Sequence, residues 1–312
     1  MNKCPITYEL LSEGKYSKNG LKWLSKGLKE LHDFPYSTEE QLSLASQFSN
    51  KISIQGIQPK LSLKLNLKAG MFQVVEQGGS FILKPPHVLY KGLPQNEDLT
   101  MKLAQSVGIE TPLHGMIYNK DGSLSYFIKR FDRLTRGHKL PVEDFTQVLG
   151  YGRDTKYEPS MEKIATGIEK YCTFPIQEKI KLFTRVVFNF LVGNEDMHLK
   201  NFSLLIQDQK ISLSPAYDLL NTTIVMQSKE EIALPIRGKK SNLTRFDLVE
   251  YFGIERLGLS EPVINAALKK IQNAVPLWKP WLDNSFLSSH LQKAYLALVE
   301  SRLKKLQLDR QG

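Results

Sequence analysis

Residues 180–202 limit what this chain can fold into more than any other stretch. An almost wholly apolar run ends there abruptly in the polar segment GNEDMHLKNF at 193–202. Ile180, Phe183, Val187, Phe190 and Leu191 recur at helical spacing, and Leu182, Val186 and Phe188 cover the remaining sides. Such a pattern predicts a buried helix. Gly193 and Asn194 stop it, because glycine accepts left-handed backbone angles and asparagine competes for local backbone bonds. A short polar loop therefore leaves the core at Glu195 and carries Asp196 and Asn201. Two expected strands, 202–206 and 211–214, joined by the turn QDQK, lead on to Asp218 in AYDLLN.

The residue types suit one chemistry. A hydroxyl nucleophile needs a carboxylate within hydrogen-bond reach to take its proton, and Mg2+ on a triphosphate needs hard oxygen ligands. Asp196, Asn201 and Asp218 supply these in the order found at the phosphoryl-transfer site of protein kinases: a base aspartate, a metal-binding asparagine, a metal-binding aspartate. Taken alone, Asp-x-x-x-x-Asn is a solvated loop in most chains that contain it. Its place between a buried helix and a hairpin that returns to a second aspartate is what gives it meaning.

The segment ISIQGIQPKLSLKLNL at 52–67 alternates apolar and polar residues on both sides of QGIQPK, which predicts strand, turn, strand. Such a hairpin either folds backbone N–H groups over phosphates or is an ordinary hairpin; it lacks the spacing of a Walker loop. FILK at 81–84 is a short strand ending in Lys84, which is placed as a phosphate-contacting lysine would be or as a surface lysine. A helix starting near Asn96 puts Glu97 where it either holds Lys84 or simply suits a helix N-terminus. A hairpin follows over 111–133, its turn marked by Asp-Gly, and ends in Lys129, Arg130, Phe131, Asp132 and Arg133. If a small sheet lobe precedes a helical lobe, this last strand is the hinge, its backbone reading adenine and Asp132 within reach of ribose.

Elsewhere leucines at 21, 24, 28 and 31 predict a helix over 20–31, and Ser37 with Glu40 predicts a capping box that opens a helix through Phe48. Residues 141–150, 160–171, 262–274 and 288–306 read as helices. The β-rich stretch 51–133 before a mostly helical remainder gives an α+β, two-lobed, protein-kinase-like fold with domains 1–133 and 134–312. The net charge of +10 points to acidic partners such as ATP, nucleic acid or an acidic protein surface, with basic clusters at 129–139 and 237–245. Two distant cysteines, Cys4 and Cys172, have no metal-ligand spacing, and no segment has the length and apolarity of a leader or a membrane span. The expectation is a soluble cytoplasmic protein.

In this order, CPITYE, SIQGIQPKLSL, FILKPP, NEDLTMKLA, FIKRFDR, VEDFTQVLG, GNEDMHLKNFSLL and AYDLLNT resemble the HipA-like serine/threonine kinase toxins of bacterial toxin–antitoxin operons. The resemblance implies that Asp196 is the catalytic base and that Asn201 and Asp218 are Mg2+ ligands. It makes Lys84 the phosphate-contacting lysine, and Gln55, Gly56, Ile57, Gln58, Pro59 and Lys60 the phosphate loop. It places Lys129, Arg130 and Phe131 at the hinge and His198 and Tyr217 beside the nucleotide. It further implies autophosphorylation on Ser53 and an aminoacyl-tRNA synthetase as substrate. The match begins at Cys4, as in the short HipT form, which implies a tryptophanyl-tRNA synthetase substrate, a separate small antitoxin in place of an amino-terminal subdomain, and a helix-turn-helix antitoxin through which alone DNA is contacted. Lys129 departs from the glutamate common at such hinges, a change that a backbone contact to adenine tolerates.

Two other classes stand beside this one. Kinase-like folds with Asp-x-x-x-x-Asn loops also phosphorylate small molecules or lipids. A non-catalytic nucleic-acid-binding protein with a kinase-like shape is the third, but the persistence of Lys84, Asp196, Asn201 and Asp218 argues against it. So does the lack of interleaved aromatics in both basic clusters.

Overall fold

A computed structural model of the chain describes residues 2–49, 58–134, 138–152, 154–226 and 230–309. Ser53, Gln55, Gly56 and Ile57 lie outside the described residues. The chain divides into two compact units. One comprises Met1–Leu99, Pro112–Gly137 and Asn284–Ser288, the other Thr100–Thr111, His138–Asp283 and Ser289–Gly312.

The first unit contains β1 (Asn2–Lys3), β2 (Leu10–Leu11), α1 (Lys18–Leu24), α2 (Thr38–Ser49), β3 (Leu61–Asn66), β4 (Met71–Val74) and β5 (Phe81–Lys84). It also holds the start of α3 (Leu93–Ser106), then β6 (His114–Tyr118) and β7 (Leu124–Lys129). Five of the strands form an antiparallel sheet in the order β4-β3-β5-β7-β6. Leu61, Leu63, Phe72, Phe81, Leu83 and Phe127 are buried, and the rings of Phe72 lie 5.1 Å from Phe81 and 5.2 Å from Phe127. Leu61 and Leu63, apolar positions of the alternation read over 52–67, thus lie with Phe81 and Leu83 of the neighbouring strand in one core.

The expected helix over 20–31 is shorter than its leucine pattern. α1 ends at Leu24, where Ser25 turns extended (φ −161°) and its N–H caps the Leu21 carbonyl at 2.9 Å. Leu28 and Leu31 are still buried, from non-helical backbone. The periodicity recorded burial correctly, while Ser25 and Gly27 broke the helix. The capping box at Ser37 is present: its N–H donates to Glu40 Oε2 at 2.7 Å and its Oγ accepts from Glu40 N–H at 3.2 Å.

The second unit contains β8 (Val142–Asp144), α4 (Phe145–Val148), α5 (Met161–Tyr171), α6 (Pro175–Val192), β9 (Ser203–Gln207), β10 (Lys210–Leu213) and α7 (Thr223–Met226). A π-helix over Phe246–Arg256 precedes α8 (Glu261–Asp283) and α9 (Ser289–Lys305). The stretch 141–150, expected as a helix, is a strand and a helical turn. Val142–Asp144 pair with β9, and Asp144 caps α4 by accepting from the Thr146 and Gln147 N–H groups. α8 runs through Pro276 and Pro280, past the point at 274 where the sequence pattern ends.

α6 fixes this unit. It packs against α5, α8, α9 and the π-helix, and Leu182, Phe183, Val187, Phe188, Phe190 and Leu191 are fully buried. Each such side chain contributes about 1.5–3 kcal/mol of transfer free energy, so the position of the helix end is set by its packing rather than by local propensity.

Candidate active site

The loop after α6 begins at Gly193, left-handed at φ +73°, where a Cβ would meet Leu298 Cδ2 at 2.5 Å and Thr223 Oγ1 at 2.6 Å. Only glycine fits that conformation and that space. The Gly193 carbonyl accepts from the Thr222 and Thr223 N–H groups at 2.9 and 3.1 Å. Next, Asn194 is fully buried and its side chain is a three-way tie. Nδ2 donates to Asn189 Oδ1 at 3.1 Å and to the Asp218 carbonyl at 3.4 Å, while Oδ1 accepts from the Asp196 N–H at 3.3 Å.

Glu195 points inward. Its N–H donates to Thr222 Oγ1 at 2.7 Å, and its carboxylate accepts from Thr223 Oγ1 at 2.6 Å and faces Arg302 Nη2 at 3.6 Å. Arg302, from α9, also donates to the Phe190 carbonyl at 2.5 Å and stacks over the Phe190 ring at 4.9 Å. Burial pushes its guanidinium below the usual arginine range, against the opposing charges of Glu231 and Glu195. Through Glu195 and the Phe190 carbonyl, Arg302 ties the loop and the end of α6 to α9.

With its neighbours fixed, Asp196 is half-buried, and its Oδ1 accepts a hydrogen bond from the Tyr157 hydroxyl. Its Oδ2 takes no hydrogen bond among the described residues. Burial chiefly, then the Asp196 hydrogen bond and charge and that of Glu230, push the Tyr157 phenol well up, so it remains a donor. His198 Nε2 lies 2.7 Å from Lys156 Nζ; an ammonium only donates, so Nε2 accepts and the proton of a neutral ring sits on Nδ1. Nδ1 is buried and has no hydrogen-bond partner among the described residues. Burial holds this imidazole below the ordinary histidine value, opposed by the charge of Asp196 and reinforced by that of Lys156.

Asn201 ends a 3-10 turn over Leu199–Asn201, is buried, and donates its N–H to the His198 carbonyl at 2.9 Å. Asp218 is half-buried and left-handed at φ +55°, a conformation that aspartate tolerates better than most residues. Tyr217 braces the loop: its hydroxyl donates to the Lys200 carbonyl at 2.8 Å and lies 2.5 Å from Ser203 Oγ. Among the described residues no group of three or more His, Cys, Asp or Glu is placed to hold a metal. The donor set Asn201 and Asp218 fits Mg2+ of the kinase kind, which takes one or two protein oxygens and completes its shell with phosphate and water.

In the first unit Lys84 ends β5 and is buried, its Nζ 2.5 Å from Glu97 Oε1 and 5.6 Å from the Tyr126 ring centre. Of the two readings of Glu97, the structure favours the lysine partner over a simple helix-terminal charge. The adjacent Asp98 Oδ1 lies 2.8 Å from His114 Nδ1, both fully buried, so consecutive carboxylates of α3 reach β5 and β6. At the end of β7, Lys129 is exposed and donates its N–H to the Leu113 carbonyl, Arg130 N–H donates to Ser80 O, and Phe131 is half-buried. Asp132 is gripped by Arg130 through two bonds of 2.9 and 2.7 Å and by Arg133 at 3.2 Å. Burial raises its carboxyl, but the Arg130 hydrogen bonds and the two arginine charges outweigh that and hold it below the usual range. Gln58, Pro59 and Lys60 are half-buried, with Gln58 Nε2 buried and without a hydrogen-bond partner among the described residues. The basic cluster at 237–245 is taken up by acidic neighbours: Arg237 and Lys239 by Asp247, Lys240 by Glu230, Arg245 by Glu250. Cys4 and Cys172 are buried free thiols, and among the described residues no helix is long and apolar enough to cross a membrane.

Residues 52–278, which include Lys84, Asp196, Asn201 and Asp218, match the HipA-like C-terminal domain. The chain belongs to that family. A Haemophilus influenzae protein named a putative kinase is 28% identical over 308 residues, covering 88% of this chain and 87% of that one. The serine/threonine-protein kinase toxin HipA of Shewanella oneidensis is 25% identical over 284 residues, covering 81% of this chain and 64% of that one. The solved Shewanella HipA in complex with HipB and operator DNA superposes with a TM-score of 0.69 at 21% identity, covering 91% of this chain and 76% of that one. The fold is accordingly that of the HipA-like kinases, α+β with a β-rich part and a helical part.

Within this HipA-like frame the contacts of Lys156, Tyr157, Asn194 and Arg302 were not foreseen from sequence. Asn194 reads there only as a helix stop. Tyr157 lies 39 positions before Asp196, in a turn over 154–157 with no apolar periodicity to mark its partner.

Proposed function

We propose that this chain is an ATP- and Mg2+-dependent serine/threonine protein kinase acting as the toxin of a toxin–antitoxin pair. The observation that carries the reading is the Asn194 amide, which ties the backbones of Asp196 and Asp218, the expected base and the expected metal ligand. In this reading Asp196 takes the proton of an acceptor hydroxyl. Asn201 Oδ1 and the Asp218 carboxylate are the oxygens that hold Mg2+. Lys84, oriented by Glu97, contacts phosphate oxygens, and the Nδ1–H of His198 is a spare buried donor for a phosphate oxygen or water. The bound nucleotide supplies the phosphoryl group.

The substrate is an aminoacyl-tRNA synthetase, with tryptophanyl-tRNA synthetase favoured by the short-form resemblance, and Ser53 is a self-modified position. An antitoxin partner is supported by the HipB complex of the Shewanella relative. The test is incubation of purified protein with labelled ATP and Mg2+, once with a panel of purified synthetases and once with cell lysate. One labelled synthetase supports the reading, and label on Ser53 that is absent from Asp196→Asn supports self-modification. Label confined to a lipid or small-molecule fraction overturns it in favour of the other kinase class.

A further inference from the structure

We propose that Tyr157 is a positioning residue for phosphoryl transfer, holding Oδ1 of Asp196 so that Oδ2 is the oxygen presented to the acceptor hydroxyl. The inference rests on Asp196 being the base. A carboxylate on a single rotatable bond has a broad, two-fold torsional preference, so neither oxygen is aimed unless a donor holds one of them. Here one oxygen is held and the other carries no hydrogen bond among the described residues.

The donor is itself held. The Tyr157 ring meets His198 edge-on at 4.9 Å, Lys156 Nζ sits 4.8 Å over the same ring, and Lys156 also donates to His198 Nε2 at 2.7 Å. The Lys156 carbonyl accepts from the Leu199 N–H at 3.4 Å. Two adjacent residues of one segment therefore grip alternate residues of the other: Tyr157 takes Asp196 and Lys156 takes His198. The backbone of Asp196 is tied separately by Asn194, so its main chain and side chain have different restraints. The charged and titratable groups that face this cluster are Lys156, His198, Asp218 and Glu230.

Tyr157 keeps its proton throughout and moves none; its part is geometric and electrostatic. Removing that hydrogen bond frees the rotation of the base and takes away the aim of Oδ2. A purely structural tyrosine changes stability without either effect.

The experiment compares wild type, Tyr157→Phe and Asp196→Asn with Mg·ATP and casein as a serine-bearing probe, reading phosphate transfer and ADP release. The expected result for Tyr157→Phe is a kcat about 10- to 100-fold lower with KM for ATP unchanged. Fluorotyrosine placed at 157 is the second variant, since it keeps the ring and the fold; its rate should fall as pH rises through the ionisation of the fluorinated phenol. An unchanged kcat in Tyr157→Phe, with Asp196→Asn inactive, overturns the proposal and leaves the base in place. A faster Tyr157→Phe overturns it too, because the hydroxyl then competes with the acceptor. Full activity in Asp196→Asn removes the reading on which it rests.

Discussion

The side-chain amide of Asn194 donates to the backbone carbonyl of Asp218 at 3.4 Å, across 24 positions of sequence, while its oxygen accepts from the N–H of Asp196 two residues on. The end of α6 and the stretch after β10 are thereby fixed to each other through one buried side chain. Asn194→Ala removes both ties, each a hydrogen bond worth about 0.5–1.5 kcal/mol. We expect a lower midpoint in denaturant titration and a phosphoryl-transfer rate reduced at least about 100-fold, which is the scale of a 1 Å misplacement at a reacting centre. Asn194→Asp, which keeps the acceptor for Asp196 but loses both donors, should also be impaired.

The residues legible in advance were those whose role is written into periodicity or local turn chemistry. The apolar faces of α6 and the glycine after it placed the loop that carries Asp196 and Asn201, because burial on all sides and a left-handed stop are local properties. Lys84 was legible as a lysine that ends a short β-rich strand, but whether it is buried or on the surface was decided only by its ion pair with Glu97. Tyr157, Lys156 and Arg302 were illegible for the opposite reason: their partners lie 39, 42 and 107 positions away and no pattern in their own segments depends on those partners. The expected helix over 141–150 failed at Val142–Asp144 because pairing with β9, a distant segment, outweighed a weak local preference.

Gly193 is expected to tolerate no side chain. Gly193→Ala combines a left-handed backbone with a Cβ placed 2.5 Å from Leu298 and 2.6 Å from Thr223. The strain and overpacking together should destabilise the protein by about 2–4 kcal/mol, read as a shift in denaturant midpoint at constant slope.

Arg302→Ala leaves Glu195 buried without the guanidinium and empties a stacking position over Phe190. Breaking one side of a buried pair costs about 3–5 kcal/mol. The double variant Arg302→Met with Glu195→Gln should recover a large part of that loss, since no uncompensated charge is then buried. A double variant no more stable than Arg302→Ala would contradict the pairing.

Stability should also fall on mild acidification through His198. Burial depresses its pKa, so the unfolded chain takes up the proton first. The contribution is complete above the unfolded value of about 6.5 and is lost as pH falls below it toward the folded value. Protonation also removes the acceptor that Lys156 uses. Thermal melts of wild type between pH 7.5 and 5.5 should therefore drop more steeply than those of His198→Gln, and parallel curves would contradict the assignment.

The central claim is that Asp196 accepts the proton of a hydroxyl as the γ-phosphate is transferred to it. The direct measurement is transfer of labelled γ-phosphate from Mg·ATP to protein by wild type and by Asp196→Asn, with the two proteins matched in thermal midpoint. The account predicts that the variant binds nucleotide but transfers phosphate at least about 100-fold more slowly, the scale of general-base catalysis. Equal rates from the two proteins would contradict it.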